Sequence, residues 1–284
     1  MQQQSVGIAK QETVENGNGL KIFFRSWRPD EKPRGTVLIV PGFNAHSGYY
    51  GWVAEQFVAE GLAVYAVDLR GRGNSDGERF YVDTFEDYVR DVEAVMSIVK
   101  SRETGLPTVM LGHSAGGVVA CLYTLNHPSE LAALVCESFA HELPAPDFAL
   151  AVFKGLGYLA PHAHILHLPN ERFTRDPAAL EVMNSDPLIA HETQPTRTMA
   201  AMVRADERLK KEFPLITLPV LILHGTLDKN TLPSGSQHFY DMAGSIDKTL
   251  KLYEGGVHDL LNDIDKSLVM RDIKDWIDAR IAYV

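Results

Sequence analysis

The sequence predicts an α/β fold in which a mostly parallel central sheet is flanked by helices and interrupted by an inserted helical cap. Short apolar runs that end at turn residues alternate with segments of helical periodicity, a pattern typical of a parallel sheet covered on both faces. The alternation stops after Ser138 and resumes at Leu218. We therefore expect residues 1–138 and 215–284 to form the core and residues 139–214 to form the cap.

The predicted strands follow in order along the chain. The turn ENGNG joins two strand-like runs in a hairpin, with LKIFFRSW as its second arm. The apolar runs that predict the following strands are Thr36–Gly42, Leu62–Gly71, Pro107–Ser114, Leu131–Ser138 and, beyond the cap, VLILHGTLD and KTLKLYEGGVHD.

Two helices carry clear amphipathic patterns. Thr84 and Asp87 resemble a capping box, which predicts that a helix begins there. Its predicted buried face consists of Phe85, Val89, Val92, Met96 and Val99. A closing helix is predicted over Asp263–Tyr283, and its stripe consists of Val269, Ile273, Trp276 and Ile277. The segment 139–214 shows no strand pattern and is expected to be mainly helical.

Composition excludes several classes of protein. A chain of 284 residues with 45% hydrophobic and 23% charged residues can bury one α/β core. A net charge of -10 without a basic run repels phosphate backbones, so nucleic acid is not an expected partner. The two cysteines, Cys121 and Cys136, lie in apolar surroundings and are predicted to be inert buried thiols.

No targeting or membrane-spanning segment is predicted. The amino-terminal stretch MQQQSVGIAKQETVENGNG has no basic leader with an apolar core and no cleavage site, so we expect no signal peptide. The longest apolar run, Phe148–Ala160, carries Lys154 and is too short to span a bilayer. A cytoplasmic location is therefore expected.

The stretch VMLGHSAGG places a serine between glycines where a strand gives way to a helix. A nucleophile elbow G-x-S-x-G needs small residues on both sides of a strained serine, because strand and helix come very close there. Gly112, Ser114 and Gly116 fit this pattern. We therefore predict that Ser114 is a nucleophile.

A serine nucleophile needs a base, and the base needs an acid that orients it. In α/β-hydrolases these residues follow in the order serine, acid, histidine, with each partner after a later strand. Asp228 and His258 stand at those places, which predicts a catalytic triad with Ser114. The backbone N–H groups of Ala115 and Phe43 are the predicted oxyanion donors.

The motifs together resemble one family. PGFNAHSGYY, DLRGRGNSDG, GHSAGG, NSDPLI, HGTLDKNTLPSGSQHFY and DKTLKLYEGGVHD occur in the order and at the spacing of the monoacylglycerol lipase and lysophospholipase branch of the α/β-hydrolases. The resemblance extends from about Asn18 to Ile281. It implies the triad Ser114, Asp228 and His258, a cap over the pocket, a small-molecule ester or lipid substrate and no cofactor.

Departures from the family pattern concern the alcohol part of the substrate. The oxyanion loop begins Pro41-Gly42 instead of His-Gly, and Ala115 stands where many relatives have methionine. Ala45 and Tyr49 occupy positions at which the glycerol-specific animal enzymes have an acidic and a basic side chain. Without those groups, discrimination for a polyol is expected to fall. The sequence thus predicts an esterase for apolar acyl esters with a small or modest alcohol.

Several other residues invite interpretation. The side chain of His113 is expected to point away from that of Ser114. The predicted residues of the substrate pocket are Ala45, Tyr49 and His113. The spacing of PHAHILHLP is compatible with zinc, but no cysteine or carboxylate pattern accompanies it, so we predict a cap loop and no metal. The run FALAVFKGLGYLA is interpreted as a lid that touches lipid or accepts an acyl chain, or as a cap helix that packs on the core, and the two interpretations are compatible.

Two function classes remain after the sequence analysis. The first is a serine hydrolase that forms an acyl-enzyme, and thioesterases and acyltransferases use the same parts. The second is a ligand receptor with slow or no turnover, because a fold does not determine a function. Sustained multiple turnover distinguishes the two classes.

Overall fold

The computed structural model describes residues 9–142 and 147–281 of the chain. Within these ranges the strands are β1 Lys10–Glu15, β2 Lys21–Trp27, β3 Gly35–Val40, β4 Leu62–Val67, β5 Thr108–His113, β6 Ala133–Glu137, β7 His164–His167, β8 Thr193–Pro195, β9 Val220–Gly225 and β10 Lys248–Tyr253. The α-helices are α1 Gly51–Ala59, α2 Phe85–Arg102, α3 Ala115–Asn126, α4 Asp147–Leu159, α5 Pro177–Ser185, α6 Thr196–Glu212, α7 Pro233–Met242 and α8 Lys266–Asp278.

The central sheet has eight strands in the order β1-β2-β4-β3-β5-β6-β9-β10. The pairs β1–β2 and β2–β4 are antiparallel, and the remaining pairs are parallel. Every residue of β3, β4, β5 and β9 is buried, as expected for parallel strands covered on both faces. The predicted fold class is confirmed, and so is the hairpin of β1 and β2.

Helices cover both faces of the sheet because alternate residues of each strand point to opposite sides. On β3, Leu38 and Val40 pack with α2 and α3, whereas Val37 and Ile39 pack with α1 and α8. The buried face predicted for α2 is confirmed, as is the capping box of Thr84 and Asp87.

The closing helix is shorter than predicted. α8 begins at Lys266 instead of Asp263, because Asp263 accepts hydrogen bonds from the backbone N–H and the guanidinium of Arg175. The predicted stripe of α8 is buried as expected. The predicted end at Tyr283 lies outside the described residues, as do residues 1–8, on which the signal-peptide expectation partly rests.

The segment 139–214 is mainly helical, and it also contains two short strands that no sequence pattern indicated. β7 and β8 form a two-stranded antiparallel sheet. These strands are too short to show an alternating pattern, and only their pairing in space produces them. None of the described helices has the length and apolar character needed to cross a membrane.

The apolar run Phe148–Ala160 forms most of α4, which packs against α6. A Cβ atom on Gly157 would lie 2.6 Å from Cβ of Ala200, so the two helices approach closely there. Tyr158 and Leu159 are 69% and 85% exposed. The side chains of residues 147–151 and 153, to which the lipid-contact interpretation also applies, lie outside the described part of the structure.

Candidate active site

Ser114 lies in a tight turn between β5 and α3. Its backbone has φ 55° and ψ -121°, a left-handed conformation that costs a non-glycine residue about 1–3 kcal/mol. A Cβ atom on Gly112 would lie 2.6 Å from the carbonyl oxygen of Gly116. A Cβ atom on Gly116 would lie 2.0 Å from the carbonyl oxygen of Val40. The neighbouring glycines are therefore required by close backbone contacts, as the sequence predicts.

The three side chains predicted as a triad are in contact. His258 Nε2 lies 2.9 Å from Ser114 Oγ, and His258 Nδ1 lies 2.7 Å from Asp228 Oδ2. Each residue follows the carboxyl end of a parallel strand, and such ends meet at one edge of a sheet. The ring of Phe173 packs edge-on against His258, with centroids 5.0 Å apart. An apolar ring from segment 139–214 thus covers the imidazole.

Asp228 is held by more partners than sequence reasoning identified. Its Oδ1 accepts hydrogen bonds from the backbone N–H groups of Asn230 and Thr231, at 2.8 and 3.1 Å. Its Oδ2 accepts a hydrogen bond from Thr231 Oγ1 at 2.8 Å and lies 3.1 Å from His224 Nε2. Burial alone raises the pKa of Asp228, but the charges and hydrogen bonds of His258 and His224 outweigh it. The pKa therefore lies well below its usual range, and the carboxylate is ionised.

His113 lies beside the imidazole of His258. It is fully buried, its Nε2 lies 3.3 Å from the carbonyl oxygen of His258, and the two ring centroids are 5.0 Å apart. Burial and the neighbouring His258 lower the pKa of His113 to about 3, so its ring is neutral. Its place among the pocket residues stays a prediction.

Two buried acids, which the sequence analysis did not consider, lie next to His113. One ligand atom each of His113, Glu137 and Asp259 lies within 4.8 Å of the others. Glu137 Oε1 accepts a hydrogen bond from the N–H of Leu261 at 3.0 Å, and Oε2 has no partner among the described residues. Burial and the charge of Asp259 raise the pKa of Glu137 well above its usual value. Burial likewise raises the pKa of Asp259 to about 6.

The raised pKa of Glu137 predicts a pH-dependent stability. The carboxyl group of Glu137 binds its proton more tightly in the folded chain than in the unfolded chain. The protonated group therefore contributes fully to the free energy of unfolding below the unfolded pKa of 4.5, and this contribution is lost as pH rises toward the folded pKa. Glu137→Gln removes this loss. The difference in Tm between the variant and the native protein, measured by thermal unfolding, is expected to increase in favour of the variant by a few degrees from pH 5 to pH 8.

The same substitution at the exposed Glu55 of α1 is the matched control. Glu55→Gln is expected to change Tm equally at both pH values. A Tm difference for Glu137→Gln that stays constant from pH 5 to pH 8 would show that Glu137 ionises equally in the folded and unfolded chain.

The loop after β3 packs directly on the turn of Ser114. A Cβ atom on Gly42 would lie 2.8 Å from the carbonyl oxygen of His113 and 2.8 Å from Cβ of Ser114. The next residue, Phe43, is 5% exposed. The backbone N–H of Asn44 donates to Glu192 Oε1 at 3.0 Å. Glycine at position 42 therefore lets the loop approach the serine turn closely.

Arg72 joins the loop after β4 to segment 139–214. It is 2% exposed, forms an ion pair with Glu192 and donates to Gln194 Oε1 at 2.9 Å. Its guanidinium lies 4.2 Å from the ring centroid of Phe43. Glu192 and Gln194 lie far from Arg72 in the chain, so no local sequence pattern indicated this pairing.

Ala45 and Tyr49 belong to the loop that follows β3 and to the helical turn after it. Ala45 is buried. The hydroxyl of Tyr49 donates to Asp186 Oδ2 at 2.8 Å, and His46 Nε2 lies 2.7 Å from the same oxygen. Asp186 belongs to the motif NSDPLI of segment 139–214. The polar groups near this position are therefore already paired with one another.

The histidines of PHAHILHLP have separate partners. His162 Nδ1 lies 2.7 Å from Glu78 Oε1, and His164 Nδ1 lies 2.9 Å from the carbonyl oxygen of Thr193. His167 Nδ1 lies 3.1 Å from the carbonyl oxygen of Glu192. The structure thus does not bring the three rings onto one point.

Cys121 and Cys136 are buried free thiols whose sulfur atoms lie 3.8 Å apart. Burial raises the pKa of Cys121 well above its usual value. The prediction that both thiols are buried is confirmed.

Comparison with known proteins identifies the family of this chain. A family model described as "Serine aminopeptidase, S33" matches residues 31–265. The monoacylglycerol lipase of Mycolicibacterium smegmatis is 33% identical over 91% of this chain and 93% of its own. The human monoglyceride lipase is 31% identical over 94% of this chain and 90% of its own.

A crystal structure of the monoacylglycerol lipase of Paleococcus ferrophilus superposes with a TM-score of 0.81 at 29% identity. It covers 91% of this chain and 99% of its own. The family match, the curated relatives and the mostly parallel sheet all indicate an α/β-hydrolase. The chain therefore belongs to the serine aminopeptidase S33 family of α/β-hydrolases and is an ester-hydrolysing enzyme.

Proposed function

We propose that this enzyme hydrolyses carboxylic esters of apolar acyl groups through a triad of Ser114, His258 and Asp228. The observation that carries the proposal is the position of His258, whose two ring nitrogens lie 2.9 Å from Ser114 Oγ and 2.7 Å from Asp228 Oδ2. A base that contacts both the nucleophile and its orienting acid is what acyl transfer by serine requires.

The proposed reaction has two halves. Ser114 Oγ attacks the ester carbonyl carbon while its proton passes to His258 Nε2, and Asp228 stabilises the resulting imidazolium. The tetrahedral intermediate expels the alcohol, which takes the proton from His258, and an acyl-enzyme remains. Water then attacks the acyl carbon, giving a proton to His258, and the carboxylic acid leaves as Ser114 regains that proton.

The backbone N–H groups of Phe43 and Ala115 are the proposed donors to the oxyanion. Ala115 is the first residue of α3, and the N–H groups at a helix start have no acceptor within the helix. Phe43 follows Gly42, which packs on Ser114. Donors fixed in this way stabilise negative charge that develops only in the transition state.

We assign residues 139–214 as a cap over this site and residues 1–138 and 215–284 as the core. The contacts that support the assignment all join the two parts: Phe173 with His258, Glu192 with Arg72 and Asp186 with Tyr49. An apolar ring over the base supports an apolar acyl group as the favoured substrate part, because such a wall excludes water.

Monoacylglycerols are a second candidate substrate class within the same reaction. The names of the bacterial and human relatives favour them. The pairing of Tyr49 and His46 with Asp186 argues against a strong preference for glycerol esters. Polar groups that are already paired gain little from a glycerol hydroxyl.

A matched ester panel tests the proposal. Glyceryl, methyl and aryl esters of one apolar acyl chain, and methyl esters of increasing acyl length, are compared by kcat/KM. We expect sustained turnover, rates that increase with acyl length, and glyceryl and methyl esters within about tenfold of each other.

A preference for the glyceryl ester above about a hundredfold would favour monoacylglycerols as the substrate class, because such discrimination requires hydrogen bonds from the protein to the glycerol hydroxyls. A single acylation without further turnover would instead support the receptor class, and the proposed hydrolysis would be wrong.

A further inference from the structure

We infer that His141, Glu142 and His238 form a binding site for a divalent transition metal ion of the zinc type, separate from Ser114. His141 and Glu142 lie where the chain leaves β6 and enters segment 139–214, and His238 lies on α7. The two histidines are 97 residues apart in the chain.

Two of the three distances between the ligand atoms match tetrahedral coordination. His141 Nε2 lies 3.2 Å from His238 Nδ1, which lies 3.3 Å from Glu142 Oε1. All three ligand atoms lie within 4.8 Å of one another. Zinc bonds of about 2.0–2.1 Å in a tetrahedron separate neighbouring ligands by about 3.3–3.4 Å. One ion placed among the three atoms would therefore reach them with small side-chain movements.

The surroundings hold two of the ligands in position. His141 Nδ1 contacts Asp206 Oδ1 of α6, and a carboxylate at this nitrogen leaves the lone pair of Nε2 for a metal. Ser234 Oγ donates to Glu142 Oε2 at 2.8 Å, which leaves Oε1 directed to His238. A carboxylate behind a ligating histidine is the usual arrangement in zinc sites.

The site is accessible from solvent on one side. The side chain of His141 is fully buried, whereas those of His238 and Glu142 are 37% and 32% exposed. An ion can therefore enter past His238, and a water molecule can complete the fourth position. The nitrogen-rich ligand set favours zinc-type ions over Mg²⁺ and Ca²⁺, which prefer oxygen.

The ion would connect three parts of the fold: the start of segment 139–214, α7 and, through Asp206, α6. The same stretch is tied to the loop that carries Asp228. The N–H of Leu232 donates to the carbonyl oxygen of Glu142 at 3.2 Å, and Thr231 Oγ1 lies 3.2 Å from that of Ser138. Binding would therefore stabilise the connection between the cap segment and the core.

The experiment uses untagged full-length protein, freed of metal with a chelator. Calorimetric titration with Zn²⁺ is expected to give one site per chain, and Co²⁺ is expected to show the visible absorption of tetrahedral coordination. Zn²⁺ at about 100 times its Kd is expected to raise Tm by roughly 5 °C, and Mg²⁺ is expected to leave Tm unchanged.

Two variants test the ligands and one serves as control. His238→Ala and Glu142→Gln are each expected to weaken Zn²⁺ binding at least tenfold. His162→Ala removes another exposed histidine that contacts a carboxylate, Glu78, and is expected to leave the affinity unchanged. Thermal unfolding without metal checks that each variant is folded.

Two results would overturn the inference. If Zn²⁺ does not bind in a one-to-one ratio, the three side chains form a hydrogen-bonded network only, with the proton of His238 Nδ1 shared between its neighbours. If Zn²⁺ binds equally well to Glu142→Gln and His238→Ala, the ion occupies another place, such as His258. Both results are independent of whether the esters above are substrates.

Discussion

Ser114→Ala is expected to lower kcat for an apolar ester about a million-fold, the loss typical of removing a triad nucleophile. Without the hydroxyl no acyl-enzyme forms, and His258 has no proton to accept from residue 114. Steady-state hydrolysis of purified protein measures the loss, and mass spectrometry after a rapid quench detects the acyl group on the native enzyme but not on the variant.

Ser245→Ala is the matched control for this change. Ser245 is 3% exposed and donates to the carbonyl oxygen of Asp247 at 3.0 Å, in the connection that precedes β10. It lies before the strand, whereas Ser114 and His258 follow their strands. Its replacement is expected to leave kcat unchanged. If Ser114→Ala kept more than about one per cent of the native kcat, another group would be the nucleophile.

Gly42→Ala is expected to lower kcat about a hundredfold with little change in KM, as loss of one oxyanion donor does. The new Cβ atom would meet the carbonyl oxygen of His113 and Cβ of Ser114, both at 2.8 Å. Neither of these two atoms can move without moving the serine turn. The loop after β3 must therefore shift, and the N–H of Phe43 is displaced with it. A displacement of one ångström at such a donor is enough for this effect.

Gly51→Ala provides the matched glycine-to-alanine control. No atom lies within 4 Å of a Cβ built at Gly51, whose φ of -56° is helical. This variant is expected to keep the native kcat and KM. An unchanged kcat in Gly42→Ala would remove the loop of Phe43 from the mechanism, whereas an increase in KM alone would assign the loop to substrate binding.

The strands before Ser114 and Asp228 could be predicted because each is a local apolar run that ends at turn residues. Burial on both faces requires continuous apolar residues, so β3, β5 and β9 are visible in the sequence itself. The glycines beside Ser114 are visible for a similar reason, since only the smallest residues tolerate such close backbone contacts.

The partners of these residues could not be predicted in the same way. His224 and Thr231 contact Asp228, and Glu192 binds Arg72, but none of them belongs to a pattern with a defined spacing. β7 and β8 were missed because four and three residues are too few for a periodic signal.

By itself, the sequence determined the α/β class, where most of the core strands lie along the chain and the identity of three candidate catalytic residues, because apolar periodicity and turn chemistry act over a few neighbouring residues. Only the tertiary structure decided which distant side chains meet. The approach of His238 to His141, or of Glu137 to His113, depends on how whole strands and helices pack. Packing depends on the complete set of buried surfaces, and no short stretch of the chain contains that information.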